Sequence, residues 1–482
     1  MSIKGLKKDQ YDVVIIGAGI GGLVCGCYLA KAGLKVLIVE QHYKAGGCCQ
    51  SFTRNGFTFD VGMHALVSCS EEGLLGRIIR ELELQDKLTL IKINPSDVII
   101  NAGHKLAIKN DINETIVDLQ KRFPLEAKAI EKFFNFIKNA RFISLFSDFK
   151  DKTFKDILDL YFKDMRLRSL LSVLLGNIGL PAHRVSALAA IFLYKEHIFD
   201  GGYYPSGGMQ AFPDAFVEKF REYGGRILFS TKATNIRIRK NEVEGIVINT
   251  GDFIKSKYVI SACDVNQTFL ELIGEQKCDK KFITNLKAMV PAITAFLVFL
   301  GINKDLKNQL DICSGLWYFP INDINVCWEE MQTKFSDKGV LCIIPSSHTQ
   351  NLAPVGSSSV TLMVTLPFIK DLHYWEENKK VKIENEIISK FEEIVPNISS
   401  FIKIKESATP YTFYKYTLNT NGSIRGWSAL PQQLNNNFIK ANTEFENLFI
   451  AGHWLISPVS AGGVSMVADS GRRVAKLILL KR

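Results

Sequence analysis

The sequence predicts an α/β fold, and three observations carry that prediction. Tyr11-Asp-Val-Val-Ile-Ile-Gly-Ala-Gly-Ile-Gly-Gly reads as a buried strand, a glycine turn and the start of a helix. Leu34-Lys-Val-Leu-Ile-Val-Glu40 reads as a second strand that ends in a carboxylate. The same kind of pattern breaks off after about residue 65 and resumes twice, near 203 and near 447, so one domain is assembled from separated pieces of chain.

The first element is a dinucleotide site because each position has a physical task. Gly17 permits the tight turn off the strand, Gly19 lets the backbone approach a pyrophosphate, and Gly22 lets the helix pack closely on the strand. The pyrophosphate is expected on the helix N-terminus, at Ile20 and Gly21, where free N–H groups and the macrodipole favour negative charge. Glu40 stands about 20 residues further on, where a carboxylate can accept hydrogen bonds from a ribose diol, with Gln41 beside it.

The next segment selects the dinucleotide. Gly46 and Gly47, followed by Cys48, Cys49 and then Gly56-Phe-Thr-Phe-Asp-Val-Gly62, form a second glycine pair directly after the ribose acid. A nicotinamide site does not need that pair, whereas a flavin's diphosphate and ribityl chain do. The expected cofactor is therefore FAD, with Met63 and His64 close to it.

The first resumption, Tyr203-Tyr-Pro-Ser-Gly-Gly-Met-Gln-Ala-Phe, leads into an amphipathic helix and then strands over Gly224 to Phe229, Lys232 to Ile238, Val243 to Ile248 and Lys257 to Cys263. These strands would complete the sheet around the adenine half, with Ala233 and Ala262 at the cofactor. The last resumption is the strand Asn447-Leu-Phe-Ile-Ala-Gly452-His453 and a helix with a glycine-rich start, Ser460-Ala-Gly-Gly463-Val464-Ser-Met466. Its N–H groups can point at the flavin.

Two insertions separate these pieces. Residues 112–199 are rich in phenylalanine at helical spacing, including Phe133, Phe134, Phe136, Phe154 and Phe162, interleaved with lysine and arginine. Such an insert can face a lipid surface, cap an apolar tunnel or be plain core. Residues 66–111 and 286–439 alternate strands with a helix near 374–394 and are expected to form a mixed-sheet substrate domain. The Rossmann-type FAD-binding domain would then comprise residues 1–65, 200–285 and 440–482, a discontinuous set.

Length and composition agree with that organisation. A chain of 482 residues exceeds what one hydrophobic core serves. The formal net charge of +10 favours acidic surfaces, and anionic lipid more than nucleic acid, since no basic run or base-stacking module occurs. The ten cysteines lack metal-ligand spacing and read as reduced thiols in a cytoplasmic protein, and the histidines show no ligand grouping, so no metal is expected. The residues before the first strand are few and lack an apolar core, so they are not expected to act as a signal peptide. No apolar run reaches the roughly 18 residues of a spanning helix, and Ala288 to Ile302 reads as a buried strand. The expected location is the cytoplasm, either free or attached peripherally to its membrane.

The order of motifs resembles the phytoene desaturase, carotenoid isomerase and retinol saturase group of amine-oxidase-like FAD enzymes. The resemblance covers nearly the whole chain. It is strongest in Gly17 to Gly22 with Glu40, in Gly46-Gly47 and Gly56 to Gly62, in Tyr204 to Phe212, and in Phe449 to Val464. Thr409-Pro-Tyr-Thr-Phe and Asn421-Gly-Ser-Ile-Arg-Gly-Trp look like the segment that precedes the closing flavin motif in that group. Two positions depart from it: Cys48 where many relatives have an arginine, and His453 where many have an acid.

The resemblance implies an oxidoreductase acting on carbon–carbon bonds of a long apolar isoprenoid, a carotenoid or retinoid-like polyene. Hydride transfer at flavin N5 would make it a desaturase, saturase or isomerase. His64 and His453 are the acid/base candidates, although each also fits a structural histidine. No second dinucleotide fingerprint is present, so oxygen, a quinone or a separate reductase would exchange the electrons. Two other readings stand: an FAD-dependent amine or porphyrinogen oxidase, and a non-catalytic isoprenoid-binding escort.

Overall fold

The computed structural model describes residues 10–307, 309–311, 313–336, 338–369, 371–435, 439–455 and 463–482. The opening strand Tyr11–Ile16 has the consecutive apolar residues of a strand covered on both faces, and it lies in the middle of a seven-stranded sheet. It pairs in parallel with Val36–Val39 on one side and with Phe253–Ser261 on the other. Arg226–Leu228 extends the parallel order beyond Val36–Val39, and Leu448–Ile450 pairs in parallel with Phe253–Ser261. The meander Ala233–Arg239, Glu242–Ile248 and Phe253–Ser261 is antiparallel. Segments more than 180 residues apart in sequence thus complete one sheet.

Helices cover this sheet through close approaches that small residues permit. The helix Ile20–Lys31 packs against Ala211–Glu222 and against the closing helix Val464–Leu480. A Cβ added at Gly471 would lie 2.2 Å from the Gly21 carbonyl oxygen, so the two helices meet backbone to backbone. Cys25 and Cys27 are buried in this contact layer as packing residues.

A second seven-stranded sheet is mixed. Its order is Ile402–Ala408, Thr294–Ile302, Ser358–Leu366, Val340–Ile343, Gly315–Phe319, Asp97–Asn101 and His104–Ile108. Only the contact between Gly315–Phe319 and Asp97–Asn101 is parallel among its pairings. Every residue of Thr294–Ile302 is buried, as expected of a strand covered on both faces.

Residues 112–200 form helices, including Ile112–Arg122, Ala127–Lys138, Phe142–Phe149, Phe154–Tyr161, Met165–Ser172 and Ala187–Tyr194. Phe133, Phe134, Phe154 and Phe162 are buried in a shared core with Tyr194, ring against ring at 5.1–6.4 Å. These phenylalanines hold the helices together as core. The outer surface of the same layer exposes Leu125, Ile143, Leu160 and Met165.

Candidate functional site

The strand Tyr11–Ile16 delivers the chain into the turn Gly17–Gly19, where Gly17 has φ +100°. A Cβ at Gly22 would stand 2.2 Å from the Gly17 carbonyl oxygen, so this glycine seats the helix on the turn. A Cβ at Gly19 would meet nothing within 4 Å, which leaves open space over the start of helix Ile20–Lys31. That helix end has no side-chain cap and no acid in its first turn. Its free N–H groups and dipole therefore favour an anion.

The Glu40 carboxylate is held by backbone N–H donors, from Ala18 at 2.7 Å and His42 at 2.8 Å. Burial raises its pKa, and these hydrogen bonds oppose the shift. Gly46 and Gly47, with φ of +124° and +57°, bring their segment against the first turn, where the Gly46 N–H donates to the Ala18 carbonyl. This segment is tied down from a distance. Gln210 donates to the Ala45 carbonyl, and Tyr204 and Ser51 both donate to Asp60, at 2.6 and 2.7 Å. The motif Tyr204 to Phe212 thus braces the glycine pair.

These elements enclose a cavity of about 460 Å³. Its lining includes Gly17, Gly19, Ile20, Gly21, Glu40, Gln41, Gly46, Gly47, Cys48, Met63, Ala233, Ala262, Gly452, His453 and Val464. Gly22 stays beneath the turn and does not line it. Phe52, Phe299, Phe413 and Ile424 add apolar wall, and Lys44, Arg54 and Glu406 add charge. A smaller cavity of about 40 Å³ shares Met63 and Val464 with the first, and His64, Gly463 and Met466 line this one instead. The structure therefore separates the two histidines named from the sequence. Residues 456–462, which include most of the glycine-rich start before Gly463, lie outside the described residues.

Burial holds the histidines neutral. His64 is pushed down to about 3, with His197 and Arg425 adding to the effect, and His453 is pushed down to about 4 by burial and then by Arg425. Neither is an imidazolium at neutral pH. Residues not singled out from the sequence complete the smaller cavity: Asn177, Glu196, His197 and Arg425. Glu196 accepts hydrogen bonds from Ser68 at 3.0 Å and Ser465 at 3.1 Å, while burial raises its pKa. Arg425 lies in a segment whose family likeness is visible in the sequence, yet nothing local marks its side chain. It acts on Cys48 and His453, the two departing positions, by placing a positive charge beside both.

The glycine turns, the open helix end, the anchored acid and the cavity fit a flavin dinucleotide. The family model of flavin-containing amine oxidoreductases matches residues 20–479. The chain belongs to this family. As a flavin-containing amine oxidoreductase it has FAD as its cofactor. It is 25% identical over 463 residues to a chloroplastic prolycopene isomerase of Daucus carota, covering 88% of this chain and 73% of that protein. It is 24% identical over 526 residues to an all-trans-retinol 13,14-reductase of Danio rerio, covering 96% and 86%. An oxidoreductase of Methanosarcina mazei shares the fold with TM-score 0.69 at 18% identity, over 96% of this chain and all of the other. Within the family, these relatives place the chain beside the carotenoid isomerase and retinol saturase group.

Proposed function

We propose that this oxidoreductase acts on carbon–carbon bonds of a long apolar isoprenoid, as a desaturase, saturase or isomerase. The observation that carries the proposal is the near full-length similarity to proteins named for prolycopene and all-trans-retinol, joined to a cavity with aromatic and aliphatic walls. When bound, FAD supplies two-electron chemistry by exchanging a hydride at N5. The chain's residues bind, orient and keep the site dry. Glu40 would accept from the ribose diol, and the N–H groups at Ile20 and Gly21 would hold the diphosphate, with Gly46 and Gly47 allowing close approach. Phe52, Phe299, Phe413 and Ile424 exclude water from the reacting end.

Neutral His64 and His453 offer ring nitrogens to hydrogen bonds rather than protons to carbon. This favours a structural or orienting role for both. Electrons pass to or from oxygen, a quinone or a separate reductase. The exposed Leu125, Ile143, Leu160 and Met165, on a layer rich in lysine and arginine, support docking on an anionic membrane from which such a substrate is taken. Among the described residues no helix is long and apolar enough to cross a membrane.

The proposal is tested by anaerobic titration of the flavin absorbance with C20 and C40 isoprenoids. Bleaching of oxidised protein marks a desaturase, and reoxidation of dithionite-reduced protein marks a saturase. For an isomerase, the reduced protein changes the substrate's retention time while its own spectrum stays constant. Absence of all three responses overturns the substrate assignment.

A further inference from the structure

The smaller cavity carries polar groups that chemistry on an apolar substrate does not itself require. Met63 and Val464 line both cavities, so the smaller one adjoins the cavity that the dinucleotide would occupy. The lining of the smaller one is suited to negative charge. The closing helix Val464–Leu480 starts there with Gly463 as its N-cap, no side-chain cap and no acid in the first turn. Its amino end therefore presents free N–H groups and the positive end of a macrodipole.

Arg425 lines the same cavity. It lies deep in the protein and keeps intermediate accessibility into the cavity. Burial lowers its pKa to about 10, which leaves it cationic at neutral pH. Its charge is felt at Cys48, His64, His197 and His453, on four separate stretches of chain. The three histidines stay neutral and add no charge. Glu196 is the acid in the lining: burial raises its pKa, while hydrogen bonds from the Ser68 and Ser465 hydroxyls favour its charged form.

Two further groups in the lining lack a hydrogen-bond partner among the described residues: Asn177 Nδ2 and His64 Nδ1. Their side chains are 2% and 5% exposed, so each leaves a costly unmet demand unless a ligand or water answers it. The pyrimidine edge of a flavin presents carbonyl oxygens and gains negative charge on two-electron reduction. It matches the donors of Asn177, Arg425 and the helix end in kind and in sign.

We infer that Arg425, with Asn177 and the amino end of Val464–Leu480, receives the pyrimidine edge of FAD and holds the charge it gains, so that Arg425 raises the potential of the bound cofactor. The inference rests on FAD and not on the isoprenoid assignment, and its test involves no substrate.

Sulfite adds through its sulfur lone pair to N5 of oxidised flavin and leaves negative charge on the pyrimidine edge. Its affinity therefore reports the positive field there. In FAD-loaded protein, Arg425→Met is expected to weaken sulfite binding by about tenfold or more, the effect of one lost interaction of pKa-unit size. The same variant is expected to have a lower midpoint potential, while Arg425→Lys keeps most of the affinity. Unchanged sulfite affinity and potential in Arg425→Met overturn the inference.

If Arg425→Met does not retain FAD, the native holoprotein decides. The pH at which its reduced flavin takes up a proton on the pyrimidine edge, read from the pH slope of the potential, is expected below that of free FAD. A value equal to or above that of free FAD overturns the inference.

Discussion

At Gly22 the constraint is the 2.2 Å that would separate a new Cβ from the Gly17 carbonyl oxygen. Gly22→Ala must lift the helix off the turn, at a cost of about 1–3 kcal/mol typical of overpacking. It is expected to lower both thermal stability and FAD content, measured by scanning calorimetry and flavin release. Gly19→Ala leaves the fold unstrained, because its Cβ would meet only open space. It should reduce FAD affinity with little change in the stability of the apoprotein. The demands at Gly17, Gly19, Gly46 and Glu40 were legible in the sequence because a turn and a strand end impose them locally. Asn177, Glu196, His197 and Arg425 were not. Each belongs to a distant segment, and only folding brings it beside Met63 and Val464.

At the scale of the element, the helical layer of residues 112–200 separates two roles that its sequence left mixed. Helical spacing of aromatic residues describes a core and a lipid-facing surface equally well, and burial distinguishes them. Phe133 is fully buried among Phe134, Phe154, Phe162 and Tyr194. Phe133→Ala should therefore cost about 3–5 kcal/mol, measured by denaturant unfolding. Ile143 and Leu160 are 90% and 68% exposed. Replacing both by Glu should change stability by no more than about 0.5 kcal/mol, as surface positions do. The same change should markedly reduce co-sedimentation with anionic vesicles. Undiminished sedimentation would remove this surface from the membrane proposal.

For the whole molecule, the pattern of strands and glycines predicted the α/β class well, because the sheet that carries the cofactor site is built from short motifs with their own signatures. The pairing of Leu448–Ile450 with Phe253–Ser261 depends on long-range closure, and no local signal fixes its register. Buried ionisable groups give the assembled molecule a pH response. His64, His197, His348 and His453 have folded-state values of about 3 to 4, below the unfolded value of about 6.5. Between those limits the unfolded chain binds more protons, so stability is lost as pH falls from about 6.5 toward 4. Asp60 and Asp97, raised to about 6 by burial, act in the opposite sense, as do Glu40, Glu196, Asp214 and Asp264, which burial raises by less; the expected direction rests on the four histidines outweighing these carboxyls. The melting temperature should be lower at pH 4.5 than at pH 7. Saturating FAD at about 100 times its dissociation constant should add about 2.7 kcal/mol at either pH where it binds.

The substrate assignment is tested most directly by the mass and retention of isoprenoid lipids recovered after anaerobic incubation with the oxidised and the reduced holoprotein. The account predicts a product lighter or heavier by two hydrogens, or one of equal mass with altered retention. Recovery of every C20 to C40 isoprenoid unchanged, from protein that retains its flavin, would contradict it.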